Sequence, residues 1–329
     1  MKRPALIWFA WVSVVYTVGV IMWGAYVRAT GSGAGCGRHW PLCNGEIIPR
    51  SPAVETLIEY SHRITSGLAL GCAIVLFIWT RRVFHSRHLA RRAAAAQLTL
   101  MVIEALIGAG LVLLELVAHN TSGARAVVVG LHLMNSFLLV GALAATAWWC
   151  TFPNTTVLVH SRKALLQFIT ILSGMLLVGA TGAITALGNT LFPSESLRAG
   201  IEADFSATAH FLIRLRIIHP ALAIGLAALT FGLAFRVFFT TRSTTAKHLC
   251  QLVVSVCMLQ IALGFANVLL LAPVWLQLSH LFLANVLWIG LVLLAIAEHE
   301  RRSSFRRDSA RFEPTPPQQV VEKRQAIRG

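Results

Sequence analysis

The sequence predicts an all-α protein that crosses a membrane eight times. Of its 329 residues, 56% are hydrophobic and 12% are charged, which is about half the charged share of soluble proteins, roughly 25%. The hydrophobic residues form runs of about twenty, the length that a helix needs to cross the hydrocarbon core. The runs lack the alternating pattern of membrane β-barrels. We therefore expect eight helices, at 5–27, 62–80, 95–117, 126–150, 164–187, 217–239, 249–271 and 278–297.

Basic residues indicate how these segments are oriented. The net charge of +15 could suggest a nucleic-acid-binding protein, but most of the 28 Lys and Arg residues lie on one side of the predicted bundle. They precede the first segment, fill the second and fourth loops, flank the sixth segment and continue into the tail. Because basic loops stay on the cytoplasmic side, we expect both termini in the cytoplasm. We also expect attraction to anionic lipid and no nucleic-acid partner.

The first segment follows Met1-Lys2-Arg3-Pro4 and could be read as a secretory signal. It is longer than the hydrophobic region of such a signal, and seven more segments follow, so we expect it to be retained. We expect no amphipathic targeting leader, because the N-terminal residues are not rich in Arg and Ser. These features predict a multi-pass protein of a bacterial cytoplasmic membrane.

The first external loop runs from Arg28 to about Tyr60 and is rich in glycine and proline, so it is predicted to be ordered without a helix. It contains Cys36 and Cys43, which six residues separate. An external loop faces an oxidising compartment, in which a disulfide is stable. An exposed glycine-rich loop also allows thiol exchange and a redox role. The sequence leaves both interpretations open.

The later connections differ in length and polarity. The third external loop, from Gly188 to Arg216, contains the stretch 194–209, which is predicted to form a helix on the membrane surface. The fourth is a tight turn around Pro273. The tail at 301–329 is polar, basic and rich in proline, and is expected to be disordered on the cytoplasmic side.

The sequence contains an internal repeat. Trp23-Gly24-Ala25 resembles Val178-Gly179-Ala180, and Ala105–Gly108 resembles Ile261–Gly264. In this register each half has four segments, so both halves have the same orientation and the pseudo-two-fold axis should lie along the membrane normal. The predicted units are an N-terminal four-helix half at 1–160, a C-terminal four-helix half at 161–300 and the tail at 301–329.

Four histidines occupy related places near the external ends of the even-numbered segments. A single histidine in a membrane helix is more often a hydrogen-bonding core residue than a metal ligand. Two per half, however, is the number needed for axial ligation of one heme iron, whereas a zinc or copper site normally needs about three or four clustered ligands. The alternative is a transporter with incidental histidines. The predicted ligands of two hemes are His62, His132, His219 and His280.

Several arginines lie on the external side near the predicted ligands. Guanidinium groups pair with carboxylates in a forked geometry, so these residues are candidates for binding heme propionates. Alternatively, each one marks the membrane interface. The candidates are Arg28, Arg63, Arg125, Arg214 and Arg216.

The two halves differ three residues before the histidine of their second segment. Glu59 precedes His62, whereas Arg216 precedes His219. Residues three apart share a helix face, so the first pocket has an acid beside its ligand and the second has a cation. Acid–base or charge-stabilising chemistry is therefore predicted in the first half, and an electron relay in the second.

Two acidic residues have alternative roles. Glu59 could form an ion pair with Arg63 or Arg28. Glu104 lies near the middle of the third segment, where a carboxylate needs a partner or must be neutral. Gln260 takes its place in the other half, which favours a hydrogen-bonding role over proton transport.

The external loop at 28–45, with Cys36, Trp40-Pro41 and Cys43, resembles that of the heme A synthases. The stretch Glu59-x-x-His62-Arg63, the plan of two times four segments and the spacing of the later histidines resemble that family as well. The resemblance covers 5–298. Some members carry a second cysteine pair in the third external loop, which this chain lacks.

This resemblance implies that the protein oxidises the C8 methyl group of heme O to the formyl group of heme A for terminal oxidases. It implies that His62 and His132 hold the substrate heme and that His219 and His280 hold a resident heme b. Glu59 would be the catalytic carboxylate. Candidate partners are a heme O synthase, an electron-transfer protein and a second copy of the chain.

Two other functions use the same four histidines. A diheme electron-transfer cytochrome b has no need for Glu59, and a heme transporter or chaperone has no need for redox chemistry. An extracted heme with an aldehyde or alcohol side group would favour the synthase, whereas heme b alone would favour the cytochrome.

Overall fold

The computed structural model describes residues 3–50, 52–153 and 161–310. These residues form ten α-helices, two short 3-10 helices and no β-strand, apart from an isolated bridge between Cys43 and Glu46. In chain order the helices are α1 (Arg3–Ala29), α2 (Val54–Val83), α3 (Leu89–Leu113), α4 (Gly123–Thr151), α5 (Arg162–Leu191), α6 (Leu197–Phe205), α7 (Phe211–Arg214), α8 (Ile218–Thr240), α9 (Thr244–Leu269) and α10 (Val274–Ala310).

The predicted all-α membrane fold is confirmed. Within the described ranges, eight helices are long and apolar enough to cross a membrane, and they match the eight predicted segments in order. The sixth combines α7, the 3-10 turn Leu215–Ile217 and α8. The protein is therefore a multi-pass membrane protein.

Most helices extend beyond the predicted segments, but α3 and α9 end at Leu113 and Leu269, before the predicted ends at 117 and 271. The difference matters most at the start of α2. It begins at Val54, well before the predicted start at residue 62. Its first turns are polar and carry Glu55, which the positive end of the helix dipole favours. Hydropathy does not detect such turns. Glu59 and His62 consequently lie inside a helix and not at its entrance.

The spanning helices pack as two groups of four. In the first group α1 contacts α2, α2 contacts α3, α3 contacts α4, and α4 returns to α1. In the second group α5, α8, α9 and α10 follow one another in the same way. Each group has its own hydrophobic core, and α4 contributes to both. The groups meet along α1, α4, α5 and α10.

α4 lies at the centre of the molecule because small residues let other helices approach it. Gly141 leaves no room for a side chain, since a Cβ there would lie 2.8 Å from Nε1 of Trp288 on α10. One turn earlier on α4, Phe137 stacks on the same indole with ring centroids 5.7 Å apart. Small residues at helix crossings permit this close packing in membranes.

Two external segments carry structure of their own. In the first loop a disulfide joins Cys36 and Cys43, which agrees with one of the two interpretations of that pair. The third loop contains α6, within the predicted helical stretch 194–209, with an ion pair of 2.8 Å between Arg198 Nε and Glu202 Oε1. The predicted helix is confirmed, and its position on the membrane surface stays a prediction.

The last helix extends past the predicted end of the eighth segment. α10 continues to Ala310, into the segment predicted as a disordered tail at 301–329. Residues 311–329 lie outside the described ranges, as do residues 154–160, next to the predicted boundary between the halves. The division at 160 and 161 stays a prediction.

Candidate functional site

The four histidines lie on four helices, two in each group. His62 is on α2, His132 on α4, His219 on α8 and His280 on α10. No hydrogen bond to a described residue involves the Nε2 atom of any of the four. Imidazole binds metals through such a free ring nitrogen, so each ring keeps an atom available for a ligand.

In each group, the first of these histidines rests directly on a glycine of a neighbouring helix. A Cβ at Gly24 of α1 would lie 2.9 Å from Cε1 of His62, and a Cβ at Gly182 of α5 would lie 2.9 Å from Cε1 of His219. Both distances are too short for a real contact, so any larger residue would displace the ring. The two helix pairs thus cradle their histidines in the same way.

This contact corrects the register of the internal repeat. The prediction aligned Gly24 with Gly179, but a Cβ at Gly179 would meet Phe137 of α4 at 2.7 Å, so Gly179 serves the packing of α5 on α4. The residue equivalent to Gly24 is Gly182. The sequence could not choose between them because Ala follows each of these glycines.

The remaining histidines repeat the arrangement with looser contacts. A Cβ at Gly108 of α3 would lie 3.8 Å from Cε1 of His132, and a Cβ at Gly264 of α9 would lie 3.4 Å from Cε1 of His280. All four histidines therefore pack against a glycine of the spanning helix that precedes their own in sequence.

His219 and His280 face each other across the second group. Their ring centroids lie 6.3 Å apart, with an angle of 82° between the planes. Imidazole–metal bonds are about 2 Å long, so two rings on opposite sides of one metal have centroids roughly 6 Å apart. Nδ1 of His219 donates to the carbonyl oxygen of Val178 at 3.1 Å, which leaves Nε2 as the unprotonated nitrogen. The spacing and the tautomer both fit a shared iron.

His62 and His132 are the two histidines of the first group, on α2 and α4. Nδ1 of His62 is buried without a hydrogen-bond partner. Nδ1 of His132 lies 3.5 Å from Oε1 of Glu104, without the geometry of a hydrogen bond. The environments of the two pairs therefore differ, although their glycine contacts match.

These arrangements fit heme better than a structural zinc ion. Within 3–50, 52–153 and 161–310, no group of three or more His, Cys, Asp and Glu residues could hold a metal. A heme iron takes its four equatorial ligands from the porphyrin and needs the protein only for axial ligands. Two opposed imidazoles with free Nε2 atoms satisfy that need.

Glu59 is buried beside His62 and is only 3% exposed. Its Oε1 accepts hydrogen bonds from Nη2 and Nε of Arg63 at 2.5 and 3.1 Å, and its Oε2 accepts one from the backbone N–H of Cys36 at 2.8 Å. The alternative of an ion pair is thus realised with Arg63. Arg28, the other partner considered, makes its contacts elsewhere.

The same contacts fasten the disulfide loop to α2. Nη1 of Arg63 donates to the carbonyl oxygens of His39 and Leu42, each at 2.6 Å. Oγ1 of Thr56 donates to the carbonyl oxygen of Gly35 at 2.8 Å. Gly35 is required there, because a Cβ would lie 2.6 Å from the backbone of α2. The loop therefore covers the helix turn that carries Glu59.

At the equivalent place in the second half, Arg216 binds the third external loop. Its Nη1 donates to Oδ1 of Asn189 at 3.1 Å, its Nη2 donates to the carbonyl oxygen of Phe192 at 3.2 Å, and its Nε lies 3.6 Å from Oδ1 of Asp204. Burial raises the pKa of the Asp204 carboxyl above its usual value, and the guanidinium of Arg216 partly opposes that shift.

The remaining candidate arginines have different surroundings. Arg28 reaches from α1 into the second group, where it donates to the carbonyl oxygen of Ala186 and to Oγ1 of Thr190, both at 2.8 Å, and to Oε1 of Gln277 at 3.0 Å. Arg125 is buried and donates through Nη1 to two backbone carbonyl oxygens, while its Nε has no partner. Arg214 is exposed.

Glu104 has the hydrogen bonds that were expected of it, but its partners were not predicted. Glu104 accepts a hydrogen bond from Nδ2 of Asn135 at 2.6 Å and another from Oγ of Ser136. Both donors lie one turn after His132 on α4. Their spacing of three and four residues from that histidine was a signal that they share its helix face.

Comparisons with known proteins agree with this architecture. A model of the family COX15-CtaA, described as cytochrome oxidase assembly protein, matches residues 7–292. Two proteins from strains of Thermus thermophilus, both called protoheme IX farnesyltransferase, are 44% identical over 304 residues. Those residues make up 92% of this chain and 50% of each relative, so the chain spans about half the length of these relatives.

Shorter stretches are similar to heme A synthases. The protein of that name from Alkalihalophilus pseudofirmus is 47% identical over 103 residues, which is 30% of this chain and 35% of the relative. The one from Halalkalibacterium halodurans is 48% identical over 105 residues, 32% of this chain and 35% of the relative. Because the family model matches almost the whole membrane region, the chain belongs to the COX15-CtaA family of cytochrome oxidase assembly proteins.

Proposed function

We propose that the protein is a heme A synthase, an oxidoreductase that converts the C8 methyl group of heme O to the formyl group of heme A. The observation that carries this proposal is the asymmetry between two otherwise similar sites. Each group of helices offers two histidines with free Nε2 atoms, and Glu59 adds a buried carboxylate beside one of them. The names of several relatives support the same activity.

The four histidines divide between two hemes. His62 and His132 hold the substrate heme, and His219 and His280 hold a resident heme b. The facing rings of the second pair, 6.3 Å apart, support the assignment of one iron to that pair. Heme iron supplies the redox chemistry when it is bound, and the protein binds and orients the porphyrin.

Glu59 stabilises positive charge at the reacting methyl carbon or accepts its proton. Three hydrogen bonds from Cys36 and Arg63 fix the orientation of its carboxylate before the reaction. A charge fixed in this way costs no reorganisation when the transition state forms. The disulfide loop excludes water from the same turn of α2, which strengthens the electrostatic effect.

The candidate arginines have unequal claims as partners of the propionates. Arg125 has a buried Nε without a hydrogen bond to a described residue, and Arg214 is exposed, so both keep donors for a ligand. Arg28, Arg63 and Arg216 each make three or more hydrogen bonds within the protein, and Nε of Arg216 also lies near Asp204. We therefore assign Arg125 to the first heme and Arg214 to the second.

The disulfide supports the proposed orientation in the membrane. Disulfides persist on the oxidising side of a bacterial cytoplasmic membrane, and the loop with Cys36 and Cys43 covers the turn that carries Glu59. Both heme sites would then lie toward the outside, with both termini in the cytoplasm and the basic loops facing anionic lipid.

The Thermus relatives suggest where the substrate comes from. Their name denotes transfer of a farnesyl group to protoheme IX, a reaction that yields a farnesylated heme of the heme O type. The present chain matches half of each relative, so we assign to it only the oxidation. A heme O synthase is therefore the proposed supplier, beside an electron-transfer partner.

Co-expression with a heme O synthase tests this function. Membranes would be extracted with acid, and the hemes identified by mass and absorption. We expect heme A, with the hydroxylated heme as a minor product. The control is the same cell with His62→Ala, which should accumulate heme O. A purified wild-type protein that carries only heme b and leaves heme O unchanged would instead identify an electron-transfer cytochrome.

A further inference from the structure

Glu104 lies beside Nδ1 of His132, and within the described ranges no other of the four candidate heme ligands has a carboxylate in that place. It sits on α3, one turn before Gly108, and its Oε1 lies 3.5 Å from Nδ1 of His132. Asn135 and Ser136 each donate a hydrogen bond to the carboxylate and hold it in place. A buried Nδ1 with no hydrogen bond needs an acceptor, and a small rotation of the ring closes this distance.

The second half lacks this arrangement. Gln260 lies one turn before Gly264, as Glu104 lies one turn before Gly108. Oε1 of Gln260 is buried and has no hydrogen bond to a described residue. Leu283 and Ala284 occupy the positions three and four residues after His280, where the first half has Asn135 and Ser136. Nδ1 of His280 has no hydrogen-bond partner among the described residues. Among the residues that the structure describes, a carboxylate therefore lies beside Nδ1 of a candidate heme ligand in the first half and not in the second.

We propose that Glu104 is a positioning residue, which accepts a hydrogen bond from Nδ1 of His132 and sets the electron donation of that imidazole to the first-half heme. This inference rests on the proposed function for the assignment of His132 as a ligand. A carboxylate behind a ligating histidine fixes its tautomer and orientation and raises its basicity. A more basic ligand stabilises the oxidised iron, so Glu104 lowers the reduction potential of the heme that undergoes oxidation chemistry.

The position of Glu104 in the membrane supports a specific role. Placing a carboxylate between apolar helices costs free energy, and such residues occur where they have a partner and a function. Two donors on α4 would suffice to join α3 and α4, and neutral residues could make those bonds. A residue that only joins the two helices would not need the additional contact with His132.

A redox titration of the purified full-length protein with both hemes bound tests this role. The first-half heme is identified as the one that His62→Ala removes. In Glu104→Gln we expect its midpoint potential to rise and the g-values of its low-spin ferric signal to change, while the other heme keeps both properties. Affinity for the first heme should fall by about 10- to 100-fold. Glu104→Asp should restore the wild-type potential in part.

Two further variants keep the inference testable. Gln260→Ala removes the equivalent side chain of the second half and should leave the first heme unchanged. Asn135→Leu combined with Ser136→Ala introduces the residues of the second half and removes both hydrogen bonds to Glu104. It should raise the midpoint potential of the first heme by less than Glu104→Gln does. This double variant tests the inference if Glu104→Gln does not fold. Unchanged potentials and g-values in a two-heme Glu104 variant would overturn the inference. Failure of the proposed function would appear differently, as a wild-type protein that does not convert heme O.

Discussion

The backbone N–H of Cys36 donates a hydrogen bond of 2.8 Å to Oε2 of Glu59, so the disulfide loop and the buried carboxylate form one structural unit. Arg63 completes the unit, because it binds Glu59 on one side and two carbonyl oxygens of the loop on the other. The carboxylate that the sequence singled out for chemistry is therefore also the anchor of the loop. Its two roles must be separated by experiment.

Glu59→Gln separates them. The amide is isosteric, and its single oxygen can still accept from Arg63 or from Cys36, though not from both, because these donors bind different oxygens of Glu59. Arg63 keeps its bonds to the carbonyl oxygens of His39 and Leu42, so the loop should stay in place, but the negative charge is lost. We expect both hemes to remain bound and the rate of heme A formation to fall about 100-fold or more, the range of a group that acts on a proton or charge in the transition state. The measurement is heme A formed per bound heme.

Glu55→Gln is the matched control, since Glu55 lies one turn earlier on α2 and is exposed. It should retain full activity. Equal activity of Glu59→Gln and the wild type would leave Glu59 with the loop-anchoring role alone.

Gly182→Ala tests the glycine cradle. The new Cβ would lie 2.9 Å from Cε1 of His219, and the ring would have to turn away from its partner His280. Overpacking of this kind costs about 1–3 kcal/mol, so we expect a folded protein that has lost one of its two hemes. The ratio of heme to protein measures this directly.

Gly225→Ala lies on the same helix as His219 and provides the control, because a Cβ there meets no atom within 4 Å. It should keep two hemes. A full complement of heme in Gly182→Ala would show that His219 does not need its observed orientation to bind a ligand.

His88 makes stability depend on pH. It caps α3, where Nδ1 accepts from the N–H of Ala90 at 3.1 Å and Nε2 donates to the carbonyl oxygen of Pro153 at 2.8 Å. Burial lowers the pKa of His88 below its usual value, and the hydrogen bond to Pro153 opposes this shift. Only the neutral ring can both accept and donate in this way.

Because its pKa is lowered in the folded state, His88 contributes stability that is present above the unfolded pKa, about 6.5, and is lost as the pH falls through the folded pKa. Thermal unfolding of the wild type should therefore shift downward between pH 7.5 and pH 5. His88→Asn keeps a cap acceptor without a titrating ring and should weaken that dependence. His248→Asn, at an exposed position, should not. Identical pH profiles in all three proteins would contradict the assignment.

The fold could be predicted from the sequence because the hydrocarbon core imposes a length and a polarity on every span. Hydropathy located all eight helices but not their exact ends: it missed the first turns of α2 from Val54 and placed the end of α3 at 117 instead of Leu113. The positions of His62, His132, His219 and His280 were equally readable, since ionisable groups in spans are few. The ion pair of Glu59 with Arg63 was one of the alternatives that the sequence left open, and the spacing of four residues on one helix permits it.

Contacts between helices that are distant in the sequence could not be predicted in the same way. Gly179 and Gly182 lie on α5 in similar sequence, and only the packing of helix on helix decides which one faces His219. Arg28 donates to the backbone carbonyl oxygen of Ala186. Because every residue has such a carbonyl group, the sequence does not indicate which one an arginine binds. The contact of Glu104 with His132 likewise depends on how α3 meets α4.

Arg28→Met tests whether Arg28 joins the two groups of helices or binds a propionate. The side chain makes three hydrogen bonds to α5 and α10, two of them to Ala186 and Gln277. Hydrogen bonds from a charged group each contribute about 1.5–3 kcal/mol, and the methionine removes all three. Together they amount to about 4.5–9 kcal/mol. An unfolding entropy of about 2.1 cal/mol/K per residue makes 1 kcal/mol worth about 1.5 °C for 329 residues, so we expect the thermal midpoint to fall by roughly 6–13 °C. Because the contacts are within the protein, the loss should be the same in heme-depleted and heme-loaded protein.

Arg50→Met, at a side chain that is 91% exposed, should leave the midpoint unchanged. A loss confined to the heme-loaded protein would instead assign Arg28 to a propionate, and the contact between the helix groups would then depend on the apolar packing of α4 against α10.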